Sequence, residues 1–306
     1  MAPRDLALLC ALASLWGASF MFIKVIVEEI GPVGLVFFRV CLGAVGLLVI
    51  ARLRGLRFVD FRPASHGHGA VRWGWGAFVV VGLLGTTLPF LLISWGEQHI
   101  PSGTAGILNA TAPLFAAVLA PWFPVRGGDP LIPRQLLGLA VGFGGAALLV
   151  LSRAETAGVS GREALLGELA IVLASLCYAA GGLVTRRAFA GRPSLVPATG
   201  QTCVAVGLMA VPFAVWGRPE VMPGWDVIGS LLALGLGGTV LAYVFFYELI
   251  RSVGAARALM VTYLASGMSL AYGAVLLGES VTLVALAGLT LIVSGVAVVA
   301  RAGRRT

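Results

Sequence analysis

The sequence predicts an all-α polytopic membrane protein with ten transmembrane helices, arranged as two inverted five-helix repeats around a central cavity. Three observations support this prediction. Hydrophobic residues make up 59% of the 306 residues and charged residues only 11%, whereas soluble domains have roughly 45–50% and about 25%. Ten apolar runs divide the chain, and each is long enough to cross a bilayer as a helix. Short sequences from the first half recur in the same order in the second half.

Composition and charge also exclude several classes of protein. Disordered chains are poor in apolar residues, and four cysteines without a glycine period do not fit a disulfide scaffold or a collagen. The formal net charge of +8 raises nucleic acid as a partner. The arginines stand singly or in pairs at the ends of apolar runs, so we expect no nucleic-acid partner.

The first apolar run follows Arg4 and superficially resembles a signal peptide. It extends to about Val27, beyond the h-region of about 7–15 residues that signal peptides have, so we expect an uncleaved first span at 5–27. The next apolar runs are bounded by charge, Gly or Pro. They predict the remaining spans of the first half at 32–51, 73–95, 102–123 and 132–151.

Five further runs of the same kind predict the second half, with spans at 164–185, 194–216, 226–249, 255–277 and 281–300. Lipid requires that backbone polar groups be satisfied within the segment, which favours helices over open sheets. Strands of a membrane barrel would be about ten residues of alternating hydrophobicity, a pattern that these runs lack.

The basic residues predict the orientation in the membrane. With a cytoplasmic N-terminus, the inner segments hold most of the 21 basic residues, and the outer loops hold only Arg153, Arg162 and Arg218. The positive-inside rule therefore places both termini in the cytoplasm.

An internal repeat relates the two halves. The sequence of Leu12–Leu15 recurs at Leu173–Leu176, and Ala44–Leu48 matches Ala205–Met209 at the same offset. Further matches join Gly82–Leu88 to Gly235–Leu241 and the fifth span to the tenth. Because each half has an odd number of spans, the second half enters the membrane with opposite polarity. Inverted repeats are typical of alternating-access transporters, with the solute site near the midplane between the halves. We expect repeats at 1–152 and 163–301 and a cytoplasmic tail at 302–306.

Several motifs then resemble a known family. They are LWGASFMFIK at Leu15–Lys24, ATAPLFAAVLA at Ala110–Ala120, TYLASGMSLAYGAVLLGE at Thr262–Glu279, and a glycine-rich closing helix in each half. Together they resemble the drug/metabolite transporter superfamily and, within it, the bacterial EamA-type exporters with ten helices. The resemblance implies a bacterial inner (plasma) membrane location and export of amino acids, other metabolites or amphiphilic toxic compounds from a central cavity. It also implies that the fifth and tenth helices lie at the periphery.

The sequence departs from the family pattern at two places. Ser266 stands in the ninth span where the family usually has Pro, although the matching Pro113 is present in the fourth. Val125-Arg126 replaces the Gly-Glu pair that usually closes the fourth helix, whereas Gly278-Glu279 is retained in the second half. The first departure argues against identical hinges in the two repeats.

Polar and aromatic residues recur at helical spacing within the spans, and polar groups in a span should face protein or water. We hypothesise that these faces line one cavity suited to an amphiphilic small-molecule substrate. The alternative is that the small polar residues only allow close helix packing. The predicted substrate-binding residues are Trp16, Ser19, Phe20, Thr86, Phe90, Asn109, Thr111, Tyr178, Thr239, Tyr243, Tyr247, Thr262, Tyr263 and Ser266.

Proline and glycine mark candidate hinges. Pro89 and Pro113 interrupt the third and fourth spans, and Gly85, Gly237 and Gly238 add flexibility. Static kinks are an equal alternative. Gly138 and Gly142 fit either a dimerisation face or packing within one chain, and we favour the latter. The predicted oligomeric state is a monomer or a weak dimer.

Few charges lie within the spans. Lys24 is expected to snorkel to the surface. Arg39 could attract an anion, but an ion pair with Glu28 or Glu29, or snorkelling, is favoured. No carboxylate lies clearly at the midplane, so the coupling ion is not identified.

The sequence therefore predicts a secondary transporter that exports small amphiphilic metabolites, with amino acids most favoured, by alternating access. The alternatives are multidrug export of cationic aromatic compounds, which would call for a buried Glu or Asp, and import of a metabolite by the same fold. A channel, a sensor or a membrane enzyme is less favoured. His66, His68 and His99 lack partners at metal-ligand spacing and no phosphate-binding loop is present, so we expect neither a cofactor, a metal site nor an enzyme.

Overall fold

The computed structural model describes residues 2–56, 74–122, 133–154, 159–219, 222–253, 258 and 261–302. Within these ranges every regular element is a helix, as lipid requires of a chain without a closed barrel. The all-α prediction is confirmed. His66, His68, Val125, Arg126 and the tail from residue 303 onward lie outside the described residues.

Helix α1 runs from Pro3 to Leu53 and holds the first two predicted spans. Its 51 residues would extend about 75 Å as one straight helix, more than twice the thickness of about 30 Å of a hydrocarbon core. The helix is broken at Gly31, whose φ of 65° lies in the left-handed region that glycine adopts without a steric penalty. Pro32 follows directly. A single glycine therefore joins these segments, where the sequence suggested a short loop.

Of the remaining predicted spans of the first half, the third and fourth are interrupted and the fifth is one continuous helix. The third consists of α2 (Gly76–Gly82), a π-helical segment π1 (Leu83–Thr87) and α3 (Leu88–Gly96). The fourth is divided into α4 (Ser102–Asn109) and α5 (Ala112–Leu119), followed by a 3₁₀ turn at Ala120–Trp122. The fifth is α6 (Pro133–Ala154).

The second half begins with α7 (Val159–Ala188) and α8 (Leu195–Trp216). The eighth predicted span is again interrupted, with α9 (Trp225–Leu232), a second π-helical segment π2 (Ala233–Leu241) and α10 (Ala242–Val253). The last helices are α11 (Val261–Leu276) and α12 (Leu283–Ala302). The third and eighth spans, which the repeat pairs, therefore share the same π-helical interruption.

Among the described residues, seven helical stretches are long and apolar enough to cross a membrane, and the first of them is Pro3–Leu53 with its break. Val261–Leu276 and Leu283–Val299 are shorter apolar helices. The chain is a multi-pass membrane protein. The number ten and the inverted orientation of the halves remain predictions.

The largest apolar core joins the two halves. Ile26 and Leu35 of α1 are fully buried in the same cluster as Ile171 of α7 and Leu234 of π2. Helix α1 packs along α8, α11 and π2. Residues of the first half therefore find their core partners in the second half, so the interface between the repeats is itself the centre of the molecule.

Helices α6 and α12 pack tightly through glycines. A Cβ atom placed on Gly138 would lie 2.8 Å from the carbonyl oxygen of Gly295, and one on Gly145 would lie 2.9 Å from that of Gly288. Small residues let helix backbones approach in this way. The interpretation of Gly138 and Gly142 as packing residues within one chain is confirmed.

Candidate functional site

Arg39 lies in the interior of the molecule, between the two repeats. Its side chain is 6% exposed. Its Nε donates a hydrogen bond to Thr239 Oγ1 in π2 over 3.1 Å, and its Cζ lies 3.8 Å from the centroid of the Phe90 ring in α3. The favoured interpretation of Arg39 as snorkelling or paired with Glu28 or Glu29 is wrong. Glu29 instead accepts a hydrogen bond from the backbone N–H of Gly224.

Further polar side chains surround this arginine. Tyr178 of α7 and Tyr243 of α10 are close enough to interact with its charge. Gln201 Nε2 of α8 donates a hydrogen bond to the Tyr243 hydroxyl over 3.0 Å. We call this set the central polar cluster; its members are Arg39, Phe90, Tyr178, Gln201, Thr239 and Tyr243. It brings together four of the predicted substrate-binding residues, Phe90, Tyr178, Thr239 and Tyr243.

The π-helical segments position this cluster. A π turn holds one residue more than an α turn and commonly occurs at functional sites. In π1, Thr87 Oγ1 donates to the carbonyl oxygen of Gly82 over 3.0 Å, and in π2, Thr239 Oγ1 donates to that of Leu234 over 3.2 Å. Both bonds reach back five residues. Thr239 therefore holds its own helix turn and accepts the bond from Arg39 with the same oxygen.

The break between α4 and α5 lies against α7. Thr111 Oγ1 donates to the carbonyl oxygen of Leu108 over 2.7 Å, so its hydroxyl stabilises the break. Ser175 Oγ lies 3.4 Å from the carbonyl oxygen of Asn109 and 3.5 Å from its Oδ1. Pro113 lies in the first turn of α5, where the backbone N–H that proline lacks would have no partner within the helix. Asn109 and Thr111 thus lie where the repeats meet, around a real interruption of the helix.

Ser266 differs structurally from its repeat counterpart Pro113. Helix α11 continues through Ser266, whereas the fourth span is broken just before Pro113. The Ser266 hydroxyl lies 2.9 Å from two acceptors, the carbonyl oxygen of Gly106 in α4 and that of Thr262 in its own helix. The substitution therefore replaces a kink with a contact across the repeats.

Other predicted site residues lie away from the central polar cluster. The Trp16 ring packs against Phe246, with centroids 5.2 Å apart, in a separate apolar cluster with Leu12 and Leu249. Ser19 Oγ donates to the carbonyl oxygen of Leu15 over 2.8 Å. The structure places the others as follows: Phe20 and Tyr263 in the large core, Thr86 buried in π1, and Thr262 one turn before Ser266. The Tyr247 side chain lies outside the part of the chain that the structure describes.

The candidate hinge residues all lie at irregular backbone. Gly85 is in π1, Gly237 and Gly238 are in π2, and Pro89 is the second residue of α3, just after π1. Close packing also uses these positions, since a Cβ on Gly181 of α7 would lie 2.9 Å from the backbone nitrogen of Gly85. Their role in movement stays a prediction.

A second polar cluster lies at the end of the molecule that is predicted to face outside. Lys24 Nζ donates to the backbone carbonyl of Glu97 over 2.6 Å. Glu279 of the second half accepts hydrogen bonds from the first backbone N–H groups of α4, at 2.7 Å from Ser102 and 3.0 Å from Gly103. We call Lys24, Glu97, Ser102, Gly103 and Glu279 the outer-end cluster. It gives the retained Glu279 a structural role that the sequence did not indicate.

Glu97 is the unusual member of the outer-end cluster. Its side chain is fully buried, and neither carboxyl oxygen has a hydrogen-bond partner among the described residues. Burial raises the pKa of the Glu97 carboxyl well above its usual range, and the nearby charge of Lys24 opposes this shift.

Sequence reasoning left Arg39, Gln201 and Glu97 out of the candidate site. Arg39 and Gln201 carried a usable signal, because a charged or amide side chain within an apolar span marks a functional position by default. Glu97 carried none, since a carboxylate at the end of an apolar run normally lies in water. Across the described residues, no group of three or more His, Cys, Asp or Glu side chains is arranged to hold a metal ion.

Known proteins resemble this chain over nearly its whole length. A probable terminal-alkyne amino-acid exporter of Streptantibioticus cattleyicolor is 27% identical, covering 95% of this chain and 92% of the relative. The uncharacterized inner membrane transporter YedA of Escherichia coli is 24% identical, covering 95% and 89%. The uncharacterized transporter YvbV of Bacillus subtilis is 25% identical, covering 97% and 91%.

A solved crystal structure shares the fold, with a TM-score of 0.68 at 20% identity over 100% of this chain and 99% of that one. The family model described as the EamA-like transporter family matches this chain twice, at residues 5–151 and 165–301. The two matches correspond to the two halves that meet at Arg39 and Thr239. The chain belongs to the EamA-like transporter family, within the drug/metabolite transporter superfamily.

Proposed function

We propose that this protein is a secondary transporter that exports small amphiphilic metabolites, foremost amino acids, across a bacterial inner membrane by alternating access. The hydrogen bond between Arg39 and Thr239 carries this proposal, because it joins the two repeats through a buried charge. A charge in the interior of a membrane protein marks a functional site by default, and solute paths are one common kind. The name of the relative from S. cattleyicolor supports amino acids as the substrate class.

Contacts between the halves at both ends suggest how access alternates. At the predicted outer end, Glu279 holds the first turn of α4. At the predicted inner end, Arg4 of α1 pairs with Glu248 of α10 over 3.3 Å, and Arg251 joins the same carboxylate over 2.8 Å. Opening either side requires that its contacts break while the other set persists.

The two sets of contacts differ in strength. Arg4 and Arg251 are largely exposed, and exposed ion pairs contribute little because water and salt screen them. The bonds from Ser102 and Gly103 to Glu279 are partly buried and charge-assisted, which makes them stronger. The inner end therefore opens more readily from this conformation than the outer end.

The charge of the central polar cluster discriminates between substrate classes. Export of cationic aromatic compounds calls for a buried carboxylate beside the solute. Glu97 and Glu168 are buried, but neither belongs to the central polar cluster, which holds a buried guanidinium instead. A solute that carries only positive charge would be repelled by Arg39 within a low-dielectric interior, whereas the carboxylate of an amino acid offsets its ammonium group. This argument favours amino acids and other metabolites over cationic drugs. Import by the same path would use the same residues.

Counterflow in proteoliposomes tests the proposed function. Purified protein is reconstituted and loaded with unlabelled amino acids, and uptake of labelled amino acids and of cationic dyes is followed at several pH values. We expect saturable counterflow of amino acids and none of the dyes. Flux without counterflow would indicate a channel, and a chemically altered product would indicate an enzyme.

Substitutions test the location of the path. We expect Tyr243→Ala and Asn109→Ala to reduce counterflow at least tenfold, because they remove polar groups where the repeats meet. Trp16→Ala should have a smaller effect, since Trp16 packs in a separate cluster. Trp216→Ala is the matched control, because this side chain is 75% exposed on the outer surface of the bundle. Unchanged counterflow in all three site variants at normal expression would contradict the assignment.

A further inference from the structure

We propose that Arg39 is the anchor for a carboxylate group of the transported solute, bound by its two terminal nitrogens Nη1 and Nη2. This inference rests on the proposed function and deepens it. It names the chemical group that the site recognises and the residue that determines this specificity.

The contacts of Arg39 fix the orientation of its guanidinium group and leave the terminal nitrogens Nη1 and Nη2 available to a ligand. Nε is committed to Thr239 Oγ1, and the Phe90 ring covers one face of the group. No hydrogen bond joins Nη1 or Nη2 to another side chain in the part of the chain that the structure describes. Neither nitrogen is among the fully buried atoms that lack a partner, so each keeps some accessible surface. Two parallel N–H donors of this kind match a carboxylate in a bidentate geometry.

The charge of Arg39 also lacks an ion-pair partner among the residues that the structure describes. Among the described residues, the ion pairs involve Arg4, Arg251 and Glu248, and Arg39 is in none of them. Glu97 acts on Arg39 only through space. A buried charge without a partner is costly, and an arriving carboxylate offsets that cost by supplying the missing anion. The site is therefore more complete with a carboxylate bound than without one.

The repeat supplies this anchor once per protein. At the offset that matches Ala44–Leu48 to Ala205–Met209, the counterpart of Arg39 is Gly200. Phe78 occupies the space where a side chain on Gly200 would begin, so no second cation fits there. One guanidinium binds one carboxylate, and the aromatic rings of Phe90, Tyr178 and Tyr243 suit an apolar remainder. The ligand class is a monocarboxylate with an apolar body, which includes apolar amino acids.

Matched pairs of probes test the anchor without any substitution. Each pair differs only at the carboxylate: leucine against leucinamide, and hexanoate against hexanamide. Binding is measured by titration calorimetry with the full chain in nanodiscs of phosphatidylcholine, a lipid whose zwitterionic headgroup carries no net negative charge. We expect at least one carboxylate to bind roughly 10- to 100-fold more tightly than its amide, as the loss of a hydrogen-bonded charge contact predicts. Equal affinities within both pairs, or no binding of either carboxylate, would overturn the anchor.

Substitution of Arg39 then assigns the preference to this residue. We expect Arg39→Gln to abolish the difference between carboxylate and amide, and Arg39→Lys, which keeps the charge without the planar fork, to retain part of it. Arg134→Gln, which removes an exposed charge at the start of α6, is the control for net charge. A carboxylate preference that persists in a folded Arg39→Gln protein would contradict the proposal. Thermal melts of the variants establish that they are folded.

The two proposals fail separately in these experiments. Counterflow of amino acids together with equal binding of acids and amides would refute the anchor and leave the transport function standing. Binding of hexanoate that depends on Arg39, together with no amino-acid counterflow, would support the anchor and refute amino-acid export.

Discussion

At the scale of single residues, Glu97 links the outer-end cluster to pH. The carboxyl group is buried beside Lys24, and Arg39 and Glu279 also contribute to its electrostatic surroundings. On α7, Gly167 packs against Gly96 and is followed by the buried Glu168. Burial favours the neutral form of Glu97 in this conformation. Any opening that hydrates the carboxyl group lowers its pKa and releases the proton.

We therefore expect acid to stabilise the observed conformation. The pKa of Glu97 is raised here above its value in the unfolded chain, so its contribution is fully present below the usual pKa of a carboxyl group. That contribution is lost as the pH rises through the raised pKa. Melting of the purified protein from pH 4.5 to 8.5 should show a falling Tm, and Glu97→Gln should flatten this dependence. Glu28→Gln, at an exposed position, is the control; an unchanged slope in Glu97→Gln would contradict the assignment.

Single residues were also where sequence reasoning was weakest. The pattern of spans identified Phe90, Tyr178, Thr239 and Tyr243 as site candidates, because their types and helical spacing carry that information. It could not identify the partner of Arg39, because Thr239 is far away in the chain and the nearby acidic Glu29 offered a simpler pair. Hydrogen bonds between the repeats depend on how the two halves pack. A single amino-acid sequence does not show that packing.

At the scale of elements, π1 and α7 approach each other closely across the repeats. A Cβ on Gly181 would lie 2.9 Å from the backbone nitrogen and 3.0 Å from the Cα of Gly85. Backbone atoms cannot yield as the end of a flexible side chain does. The distance between α7 and π1 is therefore set by the absence of a side chain at Gly181.

The neighbouring glycine provides a matched test of this packing. We expect Gly181→Ala to destabilise the protein by about 1–3 kcal/mol, because the added methyl group overpacks the contact. Gly182→Ala, where a Cβ would meet no atom within 4 Å, should stabilise the helix by about 0.5–1 kcal/mol. Chemical unfolding of both variants in detergent would measure the difference. Equal effects would mean that α7 and π1 are not in close contact.

The sequence predicted the interrupted elements only in part. Pro89 and Pro113 correctly marked irregular backbone in the third and fourth spans. The two prolines did not show which kind of irregularity precedes each of them, a π-helical segment before Pro89 and a break before Pro113. Proline is compatible with both. The sequence predicted a short loop around Glu28 and Glu29, but the helix runs on to Ile30. One glycine with positive φ is enough to end this helical segment and begin the next.

At the scale of the whole molecule, the two halves share the course of the backbone but differ in the side chains at matched positions. The repeat matches the π-helical segments of the third and eighth spans. It pairs Pro113 with Ser266, and Arg39 with Gly200. The sequence predicted the repeat because offsets are visible in it. What the differences between the halves do could be found only from the packing of the helices. The hydrogen bond from Ser266 to the carbonyl oxygen of Gly106 is an example.

Fusion of reporters tests the inverted arrangement directly. If each half has five spans, alkaline phosphatase fused after Thr156 should be active outside the cytoplasm, and green fluorescent protein fused after Thr306 should fluoresce inside it. The distribution of basic residues gives this orientation. A fusion after Thr156 that reports the cytoplasm would mean an even number of spans in the first half, and the repeats would then be parallel.

The π-helical segments determine what the deletion of a single residue would do to this protein. Removing one residue from Leu83–Thr87 would leave an unbroken α-helix that still crosses the bilayer. Every residue after the deletion would turn by about 100° around the helix axis, and Phe90 would no longer cover Arg39. The surplus residue in each π turn therefore acts as a rotational spacer. The length of the span determines whether it crosses the bilayer, and the π turn determines which way the side chains beyond it face.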